Sequence, residues 1–400
     1  MSKKDLQLKK LYAIILDMKS AKKILATILL AGGVISVAGC SGGAVYSSTS
    51  TTANWNVATS TTVEKNLTEF WRSHKEVATY SISQTDSANN SYSVKYDTES
   101  ADTKYTTCFY MDKNDYDWGA SNLPDGVKIT SAETAAPKDP VYVFETTLTV
   151  KGKYVLASTK EEVAFSDSVV TTCKYRLAGE SLKPVYSLQT IKSTAPNTLT
   201  ATNKESMYVE TDAVFETFYN RDCNKAVVKT TDNKNNSNSG EKTVTLEGLV
   251  FDNCQLPFAL RAFSLSGTKS FSICSPQNGN AQGATISCQT AAELNAETDA
   301  QVIYALNNVK DGNGNKVEDY IFFDGTASSP DANARQIRFH NVGIGINADM
   351  KGSNVVYSYA AVENADANTT RAVLLKMTTP LSFGLGTVYY TLKDLSLISH

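Results

Sequence analysis

Whatever reactivity this chain has must come from seven cysteines, three histidines and scattered carboxylates. Cys40 is the most sharply specified, because it ends the small-residue run Val37-Ala38-Gly39-Cys40 behind an apolar stretch at 24–37. Lys22 and Lys23 precede that stretch, so basic head, apolar middle and small-residue cleavage site follow in the order of an export signal. Counted generously the apolar run reaches about 16 residues, short of the roughly 20 that span a bilayer core. Gly32, Gly33 and Ser36 weaken it further as a span. Cleavage further downstream, with Cys40 an ordinary apolar thiol, is the alternative.

Six thiols follow: Cys108, Cys173, Cys223, Cys254, Cys274 and Cys288. An even number outside the cytoplasm permits three disulfides in any of fifteen connectivities. Cys274 and Cys288 are nearest in sequence and could staple a hairpin. The competing reading is buried free thiols, which pack as small apolar groups. No C-x-x-C pair occurs, so neither a redox centre nor a zinc knuckle is expected.

His74, His340 and His400 lie beside no nucleophile pattern. His74 and His400 read as solvated, and His340 as a residue on a strand face. Asp112, Asp115 and Asp117, in DKNDYDWG, could gather Ca²⁺ or bind a sugar beside Trp118, although the composition also suits a solvated hairpin tip. The run from Asp311 to Asn315 starts like a calcium loop, but Lys316 stands where glycine is needed and Phe322 where glutamate is needed. It reads as a turn. A paired-acid glycosidase needs two carboxylates that converge in space, and the spacing nominates no two. No catalytic, metal or cofactor residue is therefore assigned, and the chain reads as non-enzymatic.

The whole chain has 38 basic and 41 acidic residues. Residues 1–39 hold 7 of the basic and 2 of the acidic ones, so the rest carries a net charge of −8. That leaves no basic stripe for phosphates, and nucleic acid is not an expected partner. Residues 1–17 place two acids ahead of an already complete signal, which points to Met18 as the start. Residues 40–62 are mostly Ser, Thr, Gly and Ala and read as a flexible tether.

Positioning falls to strands. Twenty tyrosines with abundant Thr and Val favour pleated structure, and residues 63–400 are long enough for one large β-rich domain. A short helix should open it, with a capping box at 61–64 and Leu67, Phe70 and Trp71 at helical spacing. Strands are expected at 76–82, 92–96, 105–110 and 141–150. Lys151-Gly152 reads as a turn that returns the chain at 154–157. Further strands are expected at 168–175, 184–191, 206–219 and 226–230. The polar stretch 231–242 reads as a mobile loop between two halves of one sheet. After a strand at 243–251, a helix at 254–263 should be capped by Asn253, with Pro257 in its first turn. The remaining strands are expected at 270–274, 285–289, 300–306, 317–323, 336–339, 355–360, 371–377 and 387–393.

Two resemblances add to this. Val37-Ala38-Gly39-Cys40 resembles the lipobox of bacterial lipoproteins, which implies lipidation at Cys40 and a palmitate-bearing anchor on the extracytoplasmic side of the cell membrane. Leu182-Lys183-Pro184-Val185-Tyr186-Ser187, with Phe251-Asp252-Asn253 and Leu256-Pro257-Phe258-Ala259-Leu260-Arg261, resembles the LolA/LppX-like half-barrel lipoproteins. That likeness implies a curled antiparallel sheet around one or two short helices, with an apolar concavity for acyl chains. The expected partners are the membrane, through the lipid anchor, and an apolar or acyl ligand or an envelope component. A surface module that contacts protein or glycan is the second reading, and an extracellular hydrolase the third.

Overall fold

The computed structural model describes residues 71–86, 88, 91–130, 135–178, 181–196, 208–262, 268–275, 280–288, 301–307, 328–331, 334–338, 344–350, 353–363, 370–381 and 384–399. The expected signal at 1–39, Cys40, the expected tether at 40–62, the expected capping box, His340, His400 and the run at 311–315 lie outside them.

Strands make up most of the described residues. They are β1 (His74–Asp86), β2 (Tyr92–Tyr96), β3 (Lys104–Met111), β4 (Tyr116–Asp117), β5 (Lys138–Asp139), β6 (Tyr142–Leu156), β7 (Glu162–Ala178) and β8 (Ser181–Pro196). Next come β9 (Tyr208–Tyr219), β10 (Lys225–Asp232), β11 (Gly240–Thr245) and β12 (Val250–Asp252). A helical segment then begins as a 3₁₀ turn, becomes α1 (Leu256–Ala259) and ends as a second 3₁₀ turn. The last third supplies β13 (Thr268–Ser275), β14 (Asn280–Cys288), β15 (Gln301–Asn307), β16 (Ser328–Asp331), β17 (Ala334–Arg338), β18 (Ile344–Met350), β19 (Ser353–Glu363), β20 (Thr370–Pro380) and β21 (Gly386–Ser399).

Pairing makes one long antiparallel ladder. It runs β11–β10–β9–β8–β7–β6, continues through β3, β1 and β21, then through β20, β19 and β18 to β14 and β13. Parallel pairs occur where β12 joins β13 and β15 joins β21. The protein is thus mainly β, a large curled antiparallel sheet with short helical turns packed against it.

Alternation sets the two faces. In β6, Tyr142, Phe144, Thr146, Leu148 and Val150 are buried while Glu145, Thr147 and Thr149 are partly exposed, the period-2 pattern of a half-buried strand. The strand does not turn at Lys151-Gly152 as expected; it continues to Leu156 and pairs with β7 and β2. Gly152 answers a different need, because a Cβ there would lie 2.4 Å from the Lys95 carbonyl oxygen and 2.5 Å from the Phe165 ring. The glycine leaves room for that ring, which packs against Tyr154 and Tyr96.

The concave face is filled at one end by the helical segment. Phe258 stacks on Phe109 of β3 at 4.2 Å between centroids and also meets Phe144 of β6 and Tyr175 of β7. Arg261, just beyond α1, forms a buried 2.8 Å ion pair with Glu76 of β1. The cap of the segment is Asp252, one residue before the expected Asn253, and its Oδ1 accepts from the Cys254 amide. The Asp252 Oδ2 accepts from Ser187 of β8 and Tyr219 of β9, so one carboxylate joins the helix start to the middle of the sheet.

Two further expectations are corrected. Residues 231–242 are not a loop between sheet halves but the tip of the β10–β11 hairpin, with a 3₁₀ turn at Asn236–Asn238. Asp232 organises it by accepting from the amides of Lys234 and Asn235 and from the Asn238 side chain. Cys274 opposes Ala281 in the β13–β14 hairpin, whereas Cys288 pairs with Ile346 of β18. The two cysteines therefore stand at opposite ends of the hairpin, about 20 Å apart at strand rise, and a disulfide cannot join them. Cys274 is a free, buried thiol, as are Cys173, Cys223 and Cys254.

Candidate functional site on the outer face

The outer face of the sheet carries an excursion of the chain. Residues 112–130 and 135–141, between β3 and β6, fold back across β8, β9 and β10 instead of continuing the ladder. Trp118, Leu123, Val127 and Val141 pack there against Val185, Phe218 and Val227. Asp139 anchors the excursion, accepting from the Trp118 indole at 2.8 Å and from Arg221 at 2.9 and 3.0 Å. Those Arg221 bonds are the main reason its carboxyl sits below the ordinary range.

Between excursion and sheet lies a cleft of about 490 Å³, within the size range of ligand pockets. Asp112, Asn114, Asp115, Tyr116, Asp117 and Asn122 line one side, and Lys174, Tyr186, Glu216 and Phe218 line the other.

A bulge puts Tyr186 there. Tyr175 opposes Pro184 and Lys174 opposes Tyr186, so Val185 is the extra residue on β8. One inserted residue swaps the faces of everything beyond it. Tyr186 therefore turns outward while Ser187 and Gln189 become fully buried on the inner face. Proline donates nothing to a ladder, and it is tolerated here because the register breaks beside it.

Each acid of the DKNDYDWG run has its own cation. Asp112 meets Lys174 at 2.6 Å, Asp115 meets Arg72 at 2.5 Å, and Asp117 meets Lys138 at 3.3 Å. Burial pushes the Asp112 carboxyl up, but hydrogen bonds from Lys174 and the Asn114 and Lys113 amides outweigh it, and the group lies below its ordinary value. The Gly119 amide is the main cause of the lowering at Asp117. Both are carboxylates at neutral pH.

Tyr186 donates to Glu216 at 2.8 Å. Burial raises the Tyr186 hydroxyl, and its bond to Glu216 raises it further. The neighbouring Tyr116 hydroxyl is buried with no partner among the described residues.

The three acids do not come together as a calcium site. Among the described residues, no three His, Cys, Asp or Glu side chains converge on one point. Trp118 is fully buried, so the expected sugar contact through its ring fails and the cleft's aromatic surface is Tyr116 and Tyr186. His74 is buried rather than solvated, with its Nδ1 2.9 Å from Ser73 Oγ. Sequence reading missed Tyr186 and Glu216. The only signal for them was a proline inside a strand-like run.

Fold and cleft together define a curled antiparallel sheet wrapped on a helical plug, with a polar-aromatic cleft on its outer face. No family model and no curated protein matches the chain. Among solved structures, a beta-barrel-like protein of domain of unknown function DUF1849 from Brucella abortus is similar at 9% identity and a TM-score of 0.30. That match covers 82% of this chain and 98% of the other, and at such a score no functional statement rests on it. Among the described residues, no helix is long and apolar enough to cross a membrane.

Proposed function

We propose that the protein is a lipid-anchored, extracytoplasmic, non-enzymatic binding module whose ligand meets the outer cleft. The observation that carries this reading is the cleft itself, where Tyr116 and Tyr186 stand among ion-paired acids and amides beside a well-packed sheet. The acyl-ligand alternative requires an open apolar concavity. Phe258, Phe109, Phe144 and Tyr175 pack together where that concavity was expected, which favours the outer face. Anchoring follows from the Cys40 sequence alone. Two acyl chains at about 0.8 kcal/mol per buried methylene hold a protein stably, where one chain is marginal.

Native and intact mass spectrometry of the full chain purified from membranes tests the reading. The expected species starts at Cys40, carries a covalent acyl mass and brings no further lipid. A stoichiometric non-covalent acyl ligand would return the assignment to the concave face. An unmodified terminus at Met1 or Met18 would overturn the anchor.

A further inference from the structure

We propose that the outer cleft binds a neutral saccharide, with a sugar ring against Tyr116 and Tyr186 and its hydroxyls donated to Glu216 and Asp112. The proposal rests on the reading that the cleft is the contact site, and it adds the ligand class.

Charge pairing argues for a neutral ligand. Lys174, Arg72 and Lys138 already compensate three of the cleft's carboxylates. A cationic peptide would have to compete with those bonds, and an anionic ligand would face fixed negative oxygens. A polyol meets neither obstacle, because a paired carboxylate keeps lone pairs for hydroxyl donors. An ionised carboxyl offers about four acceptor sites. Glu216 receives the Tyr186 hydroxyl at 2.8 Å, which leaves acceptor capacity on the group.

Shape and hydrogen-bond inventory agree with that. Tyr116 and Tyr186 are each partly exposed and supply flat faces with polar tips. Asn114 and Asn122 on the cleft wall each bring both donors and acceptors. The Tyr116 ring is itself braced by the buried Trp118, 4.9 Å away edge to face, so little order is lost on binding.

Calorimetric titration of the detergent-solubilised full chain with cellotetraose, maltotetraose, mannotetraose and chitotetraose tests this, with tetralysine as the cationic comparison. At least one saccharide is expected to bind, with affinity unchanged between about 0.05 and 0.5 M salt. Tyr186→Ala and Glu216→Gln should each weaken it at least about tenfold, the scale of a lost bond to a charged group. Tyr186→Phe should lose less, because it keeps the ring, and Lys153→Ala, on β6 away from the cleft, should change nothing. Unfolding curves on each variant separate lost binding from lost folding. Tetralysine binding with the same variant pattern, and no saccharide binding, would overturn the ligand class while leaving the cleft as the contact site. Saccharide binding indifferent to both cleft variants would overturn the placement, and the cleft reading with it. No binding by any of the four saccharides would overturn the inference.

Discussion

Tyr219 donates its hydroxyl to the buried carboxyl group of Asp252 at 2.5 Å, across the gap between the middle of the sheet and the start of the helical plug. Ser187 donates to the same oxygen at 2.7 Å. Burial raises the Asp252 carboxyl, and the hydrogen bonds from Tyr219, Ser187 and Cys254 oppose that rise. Each removed donor leaves the carboxylate less well satisfied in a place water does not reach.

Tyr219→Phe should therefore destabilise the fold by about 1–3 kcal/mol, the range for leaving a buried acceptor unsatisfied. Ser187→Ala should act in the same direction. The double variant should fall short of additivity, since both side chains donate to one oxygen. Urea unfolding of the four proteins measures the cycle, and strict additivity would count against a shared acceptor.

The Glu76–Arg261 pair has both side chains nearly inaccessible, at 2% and 3% exposure. Breaking it from one side strands the other charge, at a cost of about 3–5 kcal/mol. Arg261 also lies 5.0 Å over the Phe258 ring, so Arg261→Met loses that contact as well. Glu76→Gln with Arg261→Met should be less harmful than either change alone. Thermal unfolding of the three variants would show that order.

Gly152→Ala places a Cβ against the Lys95 backbone and the Phe165 ring. The ring can shift; the backbone oxygen cannot do so without opening the β2–β6 pair. The expected loss is about 1–3 kcal/mol, as for overpacking elsewhere. Adding Phe165→Leu should recover only part of it. Full recovery would mean that the ring alone sets the constraint.

Asp167 is 3% exposed and its carboxyl is pushed up to about 8, chiefly by burial, against a single amide bond from Thr194. The folded state then binds a proton that the unfolded chain releases near pH 4. Stability should be greatest below that pH and decline as pH rises towards 8, by up to about 4 kcal/mol at pH 7. Asp167→Asn keeps an acceptor for the Thr194 amide and should flatten the profile between those limits. A wild-type profile that rises over the same interval would contradict the sign. Asp252, also raised, adds to the decline and remains in the variant.

Cys173, Cys223, Cys254 and Cys274 are buried free thiols, each held above the ordinary thiol range by burial. Native protein should resist alkylation at all four, and denatured protein should react at all four without prior reduction. Peptide mapping after labelling would reveal any of them in a disulfide.

How much of this was readable beforehand follows from the range of the interactions involved. Strand identity in β2, β3 and the first part of β6 was legible, because alternation between faces is a property of neighbouring residues. Lys151-Gly152 read as a turn because a glycine after a lysine looks the same locally whether it bends the chain or admits a ring from the next strand. Only the β6–β7 register, which sets Gly152 opposite Phe165, distinguishes the two. Asp112, Asp115 and Asp117 were visible as a cluster, but their cations come from Lys174, Arg72 and Lys138, at separations that composition does not connect. Tyr186 joins the cleft because one bulged residue changes which way β8 faces, and a bulge is a relation between two strands. The amino-acid order by itself determined the preference for strands, which depends on contiguous residues, and it carries the export-signal pattern that ends at Cys40. Tertiary structure decided which face carries the cleft, which acids are neutralised and which thiols stay apart, because each depends on groups brought together only by folding.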